Sequence, residues 1–198
     1  MYPRHRLDAL SDGIFGVAMT LLVLEIRLPE GFRPHTDQDL VNALQALGPK
    51  FWPYVLSFMV LGGRWRAIVK DRPAHAEVSR AYVTWWLFHL LLITLIPFSS
   101  MLMGDYASLA PAVWVYAANL AGLSIAGWRL AVLAPEEERE KVGENRGNVI
   151  VLLASAALAV ALSFRHTPYA SLAFVLNAFG QPLSRWLDGR RKTVATAA

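Results

Sequence analysis

Apolar residues gather in long blocks separated by short polar or charged connections rather than alternating with polar ones. Blocks of about 18 to 25 residues exceed the length of a strand and match the roughly 30 Å hydrocarbon core of a bilayer. The pattern predicts an all-α, polytopic membrane protein with six spans, at 8–28, 46–63, 81–103, 110–133, 148–164 and 168–187. Pro29 and Gly31 close the first block, "GPKFWP" opens the second, "DRP" separates the second from the third, and "PEEEREKVGENRGN" precedes the fifth. Pro97, inside the third block, is the one obvious helix breaker within a span. The whole chain, 1–198, reads as a single six-span domain without tandem repeats.

Charge placement is an independent test of the span count. With six spans, 15 of the 19 Lys and Arg residues fall on the side that holds both termini, among them Arg4, Arg6, Arg64, Arg66, Arg80 and Arg129. Cations are retained in cytoplasmic connections, so both termini are expected in the cytoplasm of a multi-pass protein of the cell (inner) membrane. The formal net charge of +4 and the sequence pI near 9.6 do not imply nucleic acid, because the basic residues lie between apolar blocks rather than on one soluble face.

Between the first two spans, Thr36 to Leu47 places Leu40, Ala43, Leu44 and Leu47 at helical spacing behind Thr36 or Asp37 as a cap. A short amphipathic helix on the outer surface, or an ordinary connector turn, fits this stretch.

The chain has no cysteine, which removes disulfide, thiolate and Cys-metal chemistry. His5, His35, His75, His89 and His166 show no zinc-binding spacing, and the acids, serines and His89 show no catalytic spacing. No enzyme activity, cofactor or tightly bound metal is expected. His89, within the third span, suits a buried hydrogen bond better than proton sensing, and Asn119 and Asn177 suit bonds across helices. Trp52, Trp85, Trp86, Trp114, Trp128 and Trp186 mostly fall near span ends and read as interface anchors or packing.

The first span, "RLDALSDGIFGVAMTLLVLEI", carries most of the chemistry. An acid within a span is costly and faces protein or water, so Asp12 needs partners, Arg6 or a residue of another helix; a helix-start acid favoured by the macrodipole is the alternative reading. At about 100° per residue, Gly13, Val17, Thr20 and Leu24 fall along one narrow stripe, extended backward by Ala9. Small residues with a lone hydroxyl between apolar groups suit either a helix lining a narrow pathway or ordinary helix packing. Glu25, near the outer end, suits either a cation-attracting mouth or a local ion pair.

"R-L-D-A-L-S-D-G" resembles the R-x3-F-S-D signature that opens the first span of the lysosomal and prokaryotic potassium channel family (transmembrane protein 175 type). Arg6, Ser11 and Asp12 match it, with Leu10 where the family usually has Phe. "TLLVLEI" also resembles the first helix of bacterial members, and "SFMVLGGRW", "LIPFSS" and "YAANL" are similar to the family's later spans in order and approximate spacing. Ile68 stands where members commonly have His, three residues after the second-span Trp. The resemblance implies a homotetramer with four copies of the first helix around a central pore. Gly13, Val17, Thr20 and Leu24 would line it, with transient potassium near Thr20, and Arg6, Ser11 and Asp12 would form a polar network anchoring the helix. Potassium ions, membrane lipid and further copies of the chain are the partners this implies, and nucleic acid is not among them. No T-V-G-Y-G carbonyl filter occurs, so modest selectivity is expected. A secondary transporter and a non-conducting structural membrane protein are the competing readings.

Overall fold

In the computed structural model, the described residues are 2–69, 77–134, 146–165, 170 and 173–174. They form seven α-helices: α1 Arg4–Leu21, α2 Asp37–Ala46, α3 Gly48–Val69, α4 Arg80–Thr94, α5 Ile96–Asp105, α6 Ala110–Leu133 and α7 Arg146–Ser163. A short 3-10 turn, Leu22–Glu25, prolongs α1, and a two-residue antiparallel pairing joins β1 (Tyr2–Pro3) to β2 (Glu77–Val78). Arg4–Glu25, Arg80–Asp105 and Ala110–Leu133 are each long and apolar enough to cross a membrane. With α3, whose 22 residues measure about 33 Å at 1.5 Å per residue, and the apolar part of α7, they account for five of the six expected spans. The sixth, 168–187, lies almost wholly outside the described residues, as does Asn177.

Differences from the expected boundaries have local causes. The first helix ends at Glu25, three residues early, because Ile26 leaves the helical region and Pro29 accepts a turn hydrogen bond from Phe32 N at 3.1 Å. The third span divides into α4 and α5 at Leu95, two residues before Pro97. Without an N–H on Pro97 the carbonyl of Ile93 loses its helical donor, while Leu95 N and Ser99 N still donate to Leu91 O and Leu95 O and carry the chain across the junction. The second helix runs on through Gly62 and Gly63 to Val69. Arg64 and Arg66, expected in a connection, are therefore residues of α3. Arg4 and Arg6 likewise stand in α1, and Arg129 in α6.

The segment after the first span is a capped helix. Thr36 Oγ1 accepts from Asp39 N at 3.2 Å, and Asp39 Oδ2 accepts from Thr36 N at 2.9 Å, a reciprocal capping box that fixes the start of α2. This bonding holds the exposed Asp39 carboxyl below its usual pKa of 3.8, with the Thr36 hydroxyl the largest cause. None of the α2 residues is buried.

The core lies where α1, α3, α4, α5 and α6 meet. Phe15, Leu61, Trp86, Ile93, Tyr116 and Leu120 are all at or below 1% exposure. Phe174 packs edge-on against Tyr116 with ring centroids 5.0 Å apart.

Candidate functional site

Helix α1 presents two faces of opposite character. Ser11, Phe15, Ala18 and Leu22, spaced 4, 3 and 4 residues apart, are buried against the bundle. Gly13, Gly16, Val17, Thr20 and Leu24 lie on the face that the protomer leaves uncovered. Val17 is 58% exposed and Leu24 63%, whereas Ala18, beside Val17 in sequence, is 2% exposed. A Cβ built on Gly13 or Gly16 would meet no atom within 4 Å, so these glycines make no close helix contact inside one copy.

Thr20 is oriented by its own helix. Its hydroxyl Oγ1 donates to Gly16 O (3.0 Å) or Val17 O (2.9 Å), the usual back-bond of a helical threonine. The proton is committed to the backbone, and the oxygen lone pairs remain directed to the exposed side as acceptors.

Two tryptophans hold the start of α1. Trp86 Nε1 on α4 donates to Ser11 Oγ at 2.9 Å, and Ser11 Oγ donates to Leu7 O at 2.8 Å, so this buried hydroxyl is satisfied as both donor and acceptor. Trp65 Nε1 on α3 donates to Asp12 Oδ1 at 2.9 Å. Ser11 and Asp12 are adjacent, about 100° apart around the helix, and thus reach two different neighbours. Arg6 is exposed and takes no part in these bonds. The buried arginine is Arg4, at 2% exposure, whose Nη2 donates to Tyr82 OH at 3.1 Å and whose guanidinium lies 5.4 Å from the Tyr82 ring centroid. Tyr82 in turn stacks on Trp86 at 5.6 Å, which joins Arg4, Tyr82, Trp86 and Ser11 in one cluster between α1 and α4.

Sequence reasoning read Trp86 as an interface anchor or a packing residue and counted Arg4 among the cytoplasmic cations. It singled out neither as a partner of α1, because a bond between residues 75 positions apart leaves no trace in periodicity. The acidic character of Asp12 did signal that some partner was required.

At the opposite end, Glu25 lines a small open cleft together with Lys50, Tyr54, Ser100 and Asp105. Lys50 Nζ and Asp105 Oδ1 form an ion pair of 2.6 Å there. His89 is buried in α4. Trp114 Nε1 donates to Ser163 Oγ at 2.8 Å, and Arg129 lies over the Trp85 ring at 5.2 Å, so both indoles pack against other helices. Among the described residues no three His, Asp or Glu side chains converge.

Residues 6–97, which contain α1 through the first part of α5, match the family model described as endosomal/lysosomal potassium channel TMEM175. This segment, a little under half of the chain, is similar to the TMEM175 family. That family is a class of ion channels rather than enzymes. A potassium channel of Chamaesiphon minutus is 33% identical over 121 residues, which cover 61% of this chain and 59% of the relative. A potassium channel of Streptomyces collinus is 34% identical over 101 residues, covering 51% and 48% respectively. The chain thus aligns with between about half and three fifths of the length of these two curated relatives. In three dimensions it is similar to the crystal structure of a lysosomal potassium-selective TMEM175 homolog from Chamaesiphon minutus, with a TM-score of 0.74 at 28% identity. That likeness covers 91% of this chain and 97% of the solved one. The chain is a multi-pass, helical membrane protein whose fold is similar to that of the solved TMEM175 homolog.

Proposed function

We propose that this chain is one subunit of a homotetrameric, potassium-permeable channel of the cell membrane, with four copies of α1 around a shared axis. The observation that carries the reading is the split of α1 into a buried and an uncovered face, with Val17 and Leu24 more than half exposed on a helix otherwise locked into the bundle. In four copies around an axis, Val17 and Leu24 form apolar rings that constrict the path and can empty it of water, and Gly13 widens the path toward the N-terminal end. Thr20 forms a ring of hydroxyl oxygens between them. Its proton is bonded to the backbone, so the oxygen can replace part of the hydration shell of a passing potassium ion. A single such ring offers few ligands, which agrees with modest preference for potassium over sodium.

The relatives named as potassium channels and the similarity to a solved potassium-selective homolog support the choice of ion. Ser11 and Asp12 act as brackets that hold α1 to α4 and α3, and the exposed Arg6 is free to reach a neighbouring copy or lipid headgroups. Glu25 stands at the mouth with Lys50 and Asp105. The excess of cations on one side supports cytoplasmic termini and places the α2 end outside.

Potassium flux through liposomes holding the purified chain tests the proposal. Potassium should move down its gradient without a coupled ion, and Val17→Ala and Leu24→Ala should each raise the flux. Absence of flux in the intact oligomer, or flux unaltered by either substitution, would refute the assignment of α1.

A further inference from the structure

Where α3, α5 and α6 meet, buried polar side chains follow one seam of the bundle. Ser57 Oγ donates to Ser100 Oγ at 3.0 Å and lies 3.0 Å from Tyr116 OH. One turn farther along α6, Asn119 Nδ2 donates to Ser99 Oγ at 3.1 Å. All five residues are at least nine-tenths buried. Hydroxyls paired across helices are ordinary glue in a membrane bundle. Two features are not explained by glue.

The first is Asn119 Oδ1, which is buried and has no hydrogen-bond partner among the described residues. Turning the amide over would transfer the deficit to the nitrogen and leave one polar atom unpaired. Such an atom is normally satisfied by a bound water. The second is that one end of the seam borders solvent. Ser100, the acceptor for Ser57, also forms part of the wall of the cleft lined by Glu25, Lys50, Tyr54 and Asp105.

In the other direction the seam is closed. Leu61, Leu120 and Leu123 are fully buried beyond Asn119. Past them Arg64 reaches from α3 to α6, its Nη1 donating to Leu123 O at 3.0 Å and its Nη2 to Ser124 Oγ at 3.2 Å. A Cβ on Gly127 would stand 2.7 Å from Nη1, so the arginine lies in the notch this glycine leaves. A fixed guanidinium behind an apolar layer opposes passage of cations and protons.

We infer that each protomer contains a water-filled half-channel that enters at the Lys50–Asp105 cleft, passes the hydroxyls of Ser100, Ser57 and Tyr116, and ends blind at Asn119. Its ligand is water, held by acceptor oxygens, and its seal is the Leu61, Leu120 and Leu123 layer backed by Arg64. The half-channel lies inside one copy and does not depend on α1 lining a shared axis.

Because the chain has no cysteine, single thiols can be introduced without background. Ser57→Cys, Ser100→Cys and Asn119→Cys would sample the path, Leu61→Cys and Leu123→Cys the seal, and Gln38→Cys the exposed surface. Each full-length variant, reconstituted in liposomes and eluting as the unsubstituted protein does, is treated with Ag+, then denatured and alkylated, and the protected fraction is measured by mass. Thiols on the path should react about a hundredfold faster than those in the seal, which are reached only by local opening. Should Asn119→Cys fail to fold, Ser57→Cys, which retains a donor in place of the hydroxyl, decides alone. Thiols at 57 and 119 as inert as those in the seal, with position 38 reactive, would make the seam dry and overturn the inference. Equal rates at 61, 119 and 123 would overturn the blind end. The readout is taken at the thiol and is independent of whether the chain conducts.

Discussion

Trp65 on α3 donates its indole N–H to the carboxylate of Asp12 on α1 at 2.9 Å, a bond between residues 53 positions apart. It lies on the same side as the exposed stripe of α1 and ties that helix to its neighbour at the N-terminal end. Because donor and acceptor are both partly solvated, the bond should contribute about 1 kcal/mol, the central value for an intramolecular hydrogen bond. Trp65→Phe and Asp12→Ala should each lower the thermal midpoint of the purified protein. The double variant should lose less than the sum, with a coupling of about 0.5 to 1 kcal/mol. Asp12→Ala should weaken assembly and leave ion preference unchanged; a stable tetramer with altered selectivity would contradict the bracing role.

Ser11 and Trp86 make the corresponding bond on the buried side, where neither group has access to water. Ser11→Ala leaves the Trp86 N–H without its acceptor at 1% exposure, a loss of about 1 to 3 kcal/mol. Thermal melting of the purified protein should therefore show a larger fall for Ser11→Ala than for Trp65→Phe. The reverse order would mean that the buried bracket is not the stronger one.

Arg64 and Gly127 are matched in shape. Gly127→Ala places a methyl group 2.7 Å from Arg64 Nη1 and should displace the guanidinium from Leu123 O at a cost of about 1 to 2 kcal/mol. Gly62→Ala, whose Cβ would meet only Met19 Cε at 3.8 Å, should be tolerated. Comparison of the two melting curves tests the match.

The capping box of α2 should show in its pH dependence. Asp39 has a folded pKa below the usual 3.8, principally through the Thr36 hydroxyl, so its contribution to α2 is complete above that value. As pH falls through the lower folded pKa the carboxylate is protonated and the contribution disappears. The protection of amides in residues 37–46, measured relative to the intrinsic exchange rate at each pH, should fall on acidification in the intact protein. Asp39→Asn should remove that acid step while leaving exchange in α4 unaltered.

Much of the architecture was legible in the sequence because bilayer thickness dictates block length, and the expected 110–133 coincides with α6. The stripe of Gly13, Val17, Thr20 and Leu24 was legible for the same geometric reason, since a helix of 3.6 residues per turn must place these positions on one face. Sequence alone did not establish whether a partner helix covered that face; the exposure of Val17 and Leu24 shows that, among the described residues of one copy, none does. The brackets were half legible. Asp12 announced a need for a partner, but Trp65 becomes that partner, and Trp86 the partner of Ser11, only through the packing of α3 and α4 on α1. Arg64 and Arg66 were read as connection residues because charge usually ends a span. The structure instead extends α3 past two glycines and satisfies Arg64 on the carbonyl and hydroxyl of α6.

Thr20→Val tests the hydroxyl ring without altering side-chain volume greatly. Potassium-over-sodium permeability, from reversal potentials in planar bilayers, should fall toward unity while conductance persists. An unchanged ratio would take Thr20 out of ion selection.

Silver block of a single thiol in the path of the ion bears most directly on whether α1 lines the conduit. In liposomes loaded with potassium, Thr20→Cys should conduct until Ag+ is added and then stop, while Leu91→Cys, equally on an uncovered surface but on α4, should continue. Potassium flux through Thr20→Cys that persists after full silver labelling of the thiol would contradict a central pathway formed by α1.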